Sequence, residues 1–169
     1  GVDAETIKEA LLNVRVPGRS ELVDNKKGLT IMIDYAHSPE SLQSILSAVK
    51  SYTRGKVISV FGCGGDRDKT KRPIMGKIST SIADFTIITS DNPRTEDPDT
   101  IVNEIEVGAK KAKGKYKKIV NRTEAIKYAI NMASKNDIIV LAGKGHETYQ
   151  EINGIKHHYD EREIIKEVI

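Results

Sequence analysis

Asp91, Asn92, Pro93 and Arg94 stand side by side between the apolar run ADFTIITS and a helix-like stretch beginning near Asp97. A carboxylate, an amide, a rigid ring and a guanidinium therefore share one short loop. Pro93 fixes the local backbone, which lowers the entropy cost of holding its neighbours in place. Arg94 can grip a carboxylate through two parallel hydrogen bonds. Asp91 can meet an ammonium, and Asn92 offers both a donor and an acceptor. Together they match the zwitterionic head group of an amino acid. An Asx turn with an Arg–Asp surface pair would use the same residues, and the loop by itself leaves both readings open. Glu147 in AGKGHETY supplies another acceptor for an ammonium and shifts the balance towards recognition.

Further polar loops follow apolar runs. In GCGGDRDKTKRP, Gly62, Gly64 and Gly65 come directly after KVISVFG, with Arg67, Lys69, Lys71 and Arg72 behind them. Glycines there let backbone N–H groups approach an anion, and the bases add positive charge. A flexible turn with exposed bases is the bland alternative. The spacing is neither G-x-x-x-x-G-K-[ST] nor a clean G-x-G-x-x-G, and AGKGHET fails the first test as well, so no triphosphate cradle is legible. DYAHSPE places Asp34, Tyr35 and His37 after LTIMIDY. Asp34 can accept from ribose hydroxyls, and Tyr35 or His37 can lie on a base. Equally, the segment can be a plain connection with Ser38 capping the next helix. The histidines His37, His146, His157 and His158 have no metal-ligand spacing, and no metal site is expected.

The elements that must position these loops alternate. DAETIKEALL (3–12) reads as a helix capped by Asp3, with Ile7, Leu11 and Leu12 on one face. VRVPGRSE breaks it with Pro17 and Gly18. Strands are expected at 29–35, 56–62, 84–90, 116–121 and 137–143. Between them lie helices from Ser38, over 71–83, from about Asp97 to Lys113, and over 122–134 behind Asn121 or Thr123. TYQEINGIKHHYD can fold as a hairpin turning at Asn153–Gly154, and EREIIKEVI as a last helix. Strands apolar on both faces, alternating with amphipathic helices, predict an α/β fold: a Rossmann-like, mostly parallel sheet with helices on both faces. Ligands of such sheets bind at the carboxyl ends of the strands, so the polar loops should share one rim.

A chain of 169 residues is most simply one domain with a real core. A net charge of +3 favours no particular partner. The basic run KKAKGKYKK (110–118) lacks aromatic interleaving and reads as a solvated helix end, not a nucleic-acid surface. Cys63 is the lone cysteine, which rules out an intrachain disulfide. No apolar run approaches the roughly 20 residues that cross a bilayer, and no secretory pattern opens the chain. A cytoplasmic protein without membrane or nucleic-acid partners is expected. The start at Gly1 hints at processing or at a piece of something longer.

In order, DYAHSPESL, FGCGGDRDKTKRPIMG, SDNPRTEDP and LAGKGHETYQ resemble the C-terminal domain of the Mur ligases. The resemblance covers essentially the whole chain. It implies that residues 1–18 are the junction from a central ATPase domain and that 19–169 form the amino-acid-binding domain. It implies ATP-dependent amide formation: a substrate carboxylate is phosphorylated, an amino acid's amine attacks the acyl phosphate, and phosphate leaves. ATP and Mg2+ would be bound mainly by the central domain, which accounts for the missing cradle and leaves the isolated domain inactive.

Carried onto this sequence, the family's amino-acid-binding positions are Arg67, Asp91, Asn92, Pro93, Arg94, Gly143 and Glu147. Asp34, Tyr35 and His37 fall at nucleotide-facing positions, Lys69, Lys71 and Arg72 would line the same cleft, and no catalytic residue is implied within the domain. The DNPR form resembles members that add meso-diaminopimelate, whereas lysine-adding relatives usually lack the arginine. The implied partners are meso-diaminopimelate and, through the rest of the enzyme, ATP and a UDP-N-acetylmuramoyl dipeptide. A lysine-adding ligase, a stand-alone amino-acid- or partner-binding module and a nucleotide-binding domain of other chemistry remain the alternatives.

Overall fold

Most of the expected strands owe their existence to β-branched runs bounded by glycine and polar turns, and a computed structural model of the chain shows how they assemble. It describes residues 1–12 and 16–169. Val14 and Arg15 of the anticipated break, and the side chain of Leu12, lie outside the described residues. The chain opens with α1 (Ala4–Leu12), β1 (Glu21–Leu22), β2 (Thr30–Asp34), α2 (Pro39–Tyr52) and β3 (Val57–Phe61). It continues through α3 (Lys71–Ile82), β4 (Phe85–Ile88), α4 (Pro98–Ala112), β5 (Tyr116–Lys118) and α5 (Arg122–Met132). Last come β6 (Ile138–Ala142), β7 (Tyr149–Ile152), β8 (Ile155–His158) and α6 (Glu161–Val168).

Six strands make one sheet in the order β1-β2-β6-β3-β4-β5, parallel except for β1, which runs antiparallel to β2. β1 was not anticipated: two residues are too few to carry a periodic signal. Every residue of β3 and β6 is buried, as a sheet covered on both faces requires. On one face α2, α3 and α4 bring Leu46, Met75 and Ile105 against Val57 and Phe61. On the other, α5 and α6 bring Ile126, Ile130 and Ile165 against Ile58 and Val60.

The helices start where side chains can satisfy their free N–H groups. Ser38 Oγ accepts from Ser41 N–H (3.2 Å), Asp97 Oδ2 from Thr100 N–H (3.0 Å) and Asn121 Oδ1 from Glu124 N–H (3.1 Å). Asn121, not Thr123, is thus the cap of α5. β7 and β8 form the expected hairpin through Asn153 and Gly154. Among its described side chains α1 brings none into either core cluster, and Ile7 and Leu11 stay exposed. No helix among the described residues is long and apolar enough to cross a membrane.

The neighbouring strands β3 and β6 lead to opposite faces, β3 into α3 and β6, after the hairpin, into α6. That divergence opens a crevice above their carboxyl ends, where a parallel sheet receives ligands.

Candidate functional site

The crevice is a cleft of about 360 Å³, at the small end of ligand-pocket sizes. Gly64, Arg67 and Lys71 line it from the β3 side, Asp91, Asn92 and Arg94 from the loop after β4. Gly143 and Glu147 contribute from the loop after β6, and Tyr35 and His37 from the loop after β2. Arg94 and Glu147 therefore face a common space.

The loop after β4 is held by both its neighbours. Gly65 N–H donates to Asn92 O (2.9 Å), and Arg94 Nη1 donates to Gly65 O (2.8 Å). Asp66 takes Thr95 N–H (3.1 Å) and Thr95 Oγ1 (2.8 Å) on its carboxylate. A Cβ at Gly65 would stand 1.9 Å from Pro93 O, so only glycine permits this approach. From the other side the hairpin grips the same loop. Arg94 N–H donates to Glu151 O (3.0 Å), Asn153 N–H to Arg94 O (2.7 Å), and Glu151 Oε2 lies 3.3 Å from Arg94 Nε. Arg94 sits at φ 52°, in the left-handed region that side chains seldom occupy. The two backbone bonds to the hairpin hold it there, and the guanidinium is thereby aimed.

Asn92 is the hub of the floor. Its Oδ1 accepts from Glu151 N–H and from Lys144 Nζ, each at 3.0 Å, and its Nδ2 donates to Glu147 Oε2 at 2.9 Å. Gln150 Nε2 donates to Asp91 O (2.6 Å). Gly143 adopts φ 117°, and a Cβ there would lie 2.5 Å from Asp91 Oδ2, closing the floor.

Not every anticipated residue reaches the cleft. Pro93 is buried beside it, its carbonyl accepting from Glu96 N–H (3.0 Å). Asp34 does not line it; its carboxylate takes Ser20 N–H (2.7 Å) and Ala36 N–H (2.9 Å) and so shapes the chain around it. Arg72 is fully buried and is no free charge for an anion. It donates to Glu96 (2.9 Å), Glu104 (2.7 Å) and Gly64 O (3.2 Å), bracing the glycine loop from below. The Arg72 guanidinium, with Asp66 N–H, pulls the Glu96 carboxyl down to about 2. Lys69 is spent on Glu96 at 3.1 Å. Lys71 does line the cleft, donating to His37 O (2.8 Å). Cys63 points into the core beside Met75, and burial pushes its thiol up to about 12.

The Tyr35 ring lies 4.6 Å from that of His37 and 5.3 Å from that of His146, an aromatic ledge at the rim. His37 Nδ1 donates to Tyr35 O at 2.8 Å, since a carbonyl oxygen can only accept. No group of three or more His, Cys, Asp or Glu among the described residues is placed to hold a metal ion.

Sequence reasoning overlooked Lys144, the hairpin's part in the loop, and Arg122. Arg122 is wholly buried, bonded to Glu161 (2.8 Å), Ala142 O (3.0 Å) and Ser90 O (3.3 Å). A signal existed: a cation in the first turn of a helix opposes the helix dipole and demands compensation elsewhere.

Residues 18–145 match the family described as Mur ligase, glutamate ligase domain. This chain belongs to that family. The Mur ligase domain is 48% identical over 170 residues to UDP-N-acetylmuramoyl-L-alanyl-D-glutamate--2,6-diaminopimelate ligase of Clostridioides difficile (strain 630), covering 100% of this chain and 35% of the relative. It is 51% identical over 170 residues to the ligase of the same name from Clostridium perfringens (strain 13 / Type A), covering 99% and 35%. A solved structure of a ligase of that name superposes with a TM-score of 0.84 at 40% identity, over 92% of this chain and 32% of the other. E. coli FolC in complex with ADP shares the fold, with a TM-score of 0.66 at 19% identity over 86% of this chain and 33% of that one. The Mur ligase domain thus spans about a third of the length of the curated relatives it matches, by the 35% above. Glu147 and the hairpin lie beyond the matched segment.

Proposed function

We propose that this domain is the amino-acid-binding part of an ATP-dependent ligase that adds meso-diaminopimelate to UDP-N-acetylmuramoyl-L-alanyl-D-glutamate in peptidoglycan synthesis. Relatives of that name, near 50% identical over the whole chain, support the reading. The observation that carries it is the shared cleft, which Arg94 and Arg67 line together with Glu147 and Gly143. Diaminopimelate differs from lysine by a carboxylate at its far end. Arg94, its Nε and Nη1 already held by Glu151 and Gly65, keeps its remaining N–H groups for that carboxylate. Glu147 and Asp91 accept from ammonium, and Asn92 donates or accepts between them.

ATP supplies the phosphoryl group that activates the acceptor carboxylate. Among the described residues no group of three or more His, Cys, Asp or Glu is placed to hold Mg2+. This domain's own work is to hold the incoming amine against that carboxyl, replacing a bimolecular encounter by an oriented one. Tyr35, His37 and His146 form the face turned to the nucleotide, and the exposed α1 with the following turn is the junction to the rest of the ligase. A cytoplasmic setting follows from such substrates.

ATP-dependent phosphate release by the full-length protein, with the UDP-linked dipeptide and either meso-diaminopimelate or L-lysine, tests the proposal. Strong preference for diaminopimelate is expected. Equal or greater use of lysine would reject it.

A further inference from the structure

Lys144 lies beneath the floor of the cleft, not in it, with no exposed surface. A buried ammonium is strongly unfavourable unless other groups compensate it. Its compensation comes from residues that face the cleft: Asn92 Oδ1 at 3.0 Å, Asp91 Oδ1 at 3.5 Å and Glu147 Oε2 at 3.5 Å. The rings of Tyr149 and Tyr159 complete the shell, their centroids 5.8 and 5.7 Å from Nζ. The flanking Gly143 and Gly145 both have positive φ, so the chain turns sharply on either side to put this one side chain inside.

The consequence falls on Asn92. With Lys144 Nζ and Glu151 N–H both donating to one end of its amide, that end must be the oxygen. The NH2 group is then forced towards Glu147. A flipped amide would set donors against donors. Asp91 and Glu147 meanwhile share one buried counter-charge, so two carboxylates can stand at one edge of the cleft before any ligand arrives.

We infer, on the footing that the cleft binds an amino acid, that Lys144 is a positioning residue for that ligand. Its ammonium sets the Asn92 amide and holds Asp91 and Glu147 as a preformed acceptor edge. It touches no ligand itself. A mere space-filler could be replaced by an apolar chain of the same length without consequence for binding.

Lys144→Met in the full-length ligase makes that replacement. KM for meso-diaminopimelate should rise tenfold or more, with kcat at saturation changed less than threefold. KM for ATP and for the UDP-linked acceptor should stay within twofold. Combined with Asn92→Ala, the variant should be no worse than the poorer single change, since both remove one arrangement. Effects that multiply, a loss spread evenly over all substrates, or unaltered kinetics would each overturn the inference. Wild-type protein that meso-diaminopimelate fails to saturate would overturn the reading of the cleft instead. Hydrogen exchange at the Asn92 side-chain amide of ligand-free wild-type protein decides the matter even if Lys144→Met does not fold. At least tenfold protection relative to exposed asparagines is expected, and exchange at their rate refutes a preformed edge.

Discussion

At one end of the cleft Asn92, Glu147 and Lys144 are bonded to one another and to the hairpin. At the other, Arg67 and Asp68 stand in solvent, and Lys71 is half-buried with a single carbonyl partner. The first end is finished before a ligand comes; the second is more exposed, with Arg67 and Asp68 bonded only to near neighbours in their own loop. Preorganised contacts cost little when the ligand binds, whereas exposed long side chains must be ordered first. Binding strength and discrimination should therefore sit at the floor and with Arg94, and the β3-side rim should contribute modestly.

Arg94→Ala should give the largest effect, removing a guanidinium that backbone and side-chain contacts have already aimed. About 2–4 kcal/mol of transition-state stabilisation, or roughly 30- to 1,000-fold in kcat/KM for meso-diaminopimelate, should be lost. Steady-state kinetics on the full-length ligase measures it, and a loss below threefold would break the contrast.

Glu96→Ala probes what supports the rim from below. It leaves Arg72, fully buried, with Glu104 and Gly64 O only. A cost of about 2 kcal/mol is expected, less than for a fully broken buried pair. For a domain of this size that lowers Tm by roughly 4–8 °C, readable by calorimetry.

The same carboxylate sets an acid limit. Its folded value of about 2 lies below the ordinary 4.5, so the stability it confers is complete above pH 4.5 and is lost as pH falls through about 2. Denaturant midpoints from pH 5 to pH 2 should fall more steeply in the wild type than in Glu96→Gln. Parallel curves would show that Glu96 is not the group responsible.

Lys71→Ala should do least. Its partner is one exposed carbonyl, and a change below about threefold in KM for the amino acid is expected, in keeping with the small worth of surface charges. A tenfold rise would move Lys71 into the preorganised set and erase the distinction between the ends.

The fold was largely legible because it depends on local patterns: buried apolar runs, caps such as Ser38 and Asn121, and the Asn153–Gly154 turn. The cleft's lining was legible for a related reason. Parallel strands deliver their following loops to one rim, so Arg94 and Glu147 could be grouped although 53 residues separate them, as Asp91 and Lys144 are. What stayed hidden are interactions whose partners are remote in sequence. Arg72 reads as an exposed base until Glu96 and Glu104, 24 and 32 residues on, come up beside it. Lys144, set between glycines, has every local mark of a surface residue. The hairpin reads as a tail because nothing in its own sequence says that Glu151 will clasp Arg94.

Arg122 joins Ser90 O and Ala142 O, the stretches where β4 and β6 pass into their loops, and is itself anchored on Glu161. Those two loops line the same channel, and one arginine acts as a pier beneath both. A displacement of one loop is therefore passed to the other through a single guanidinium.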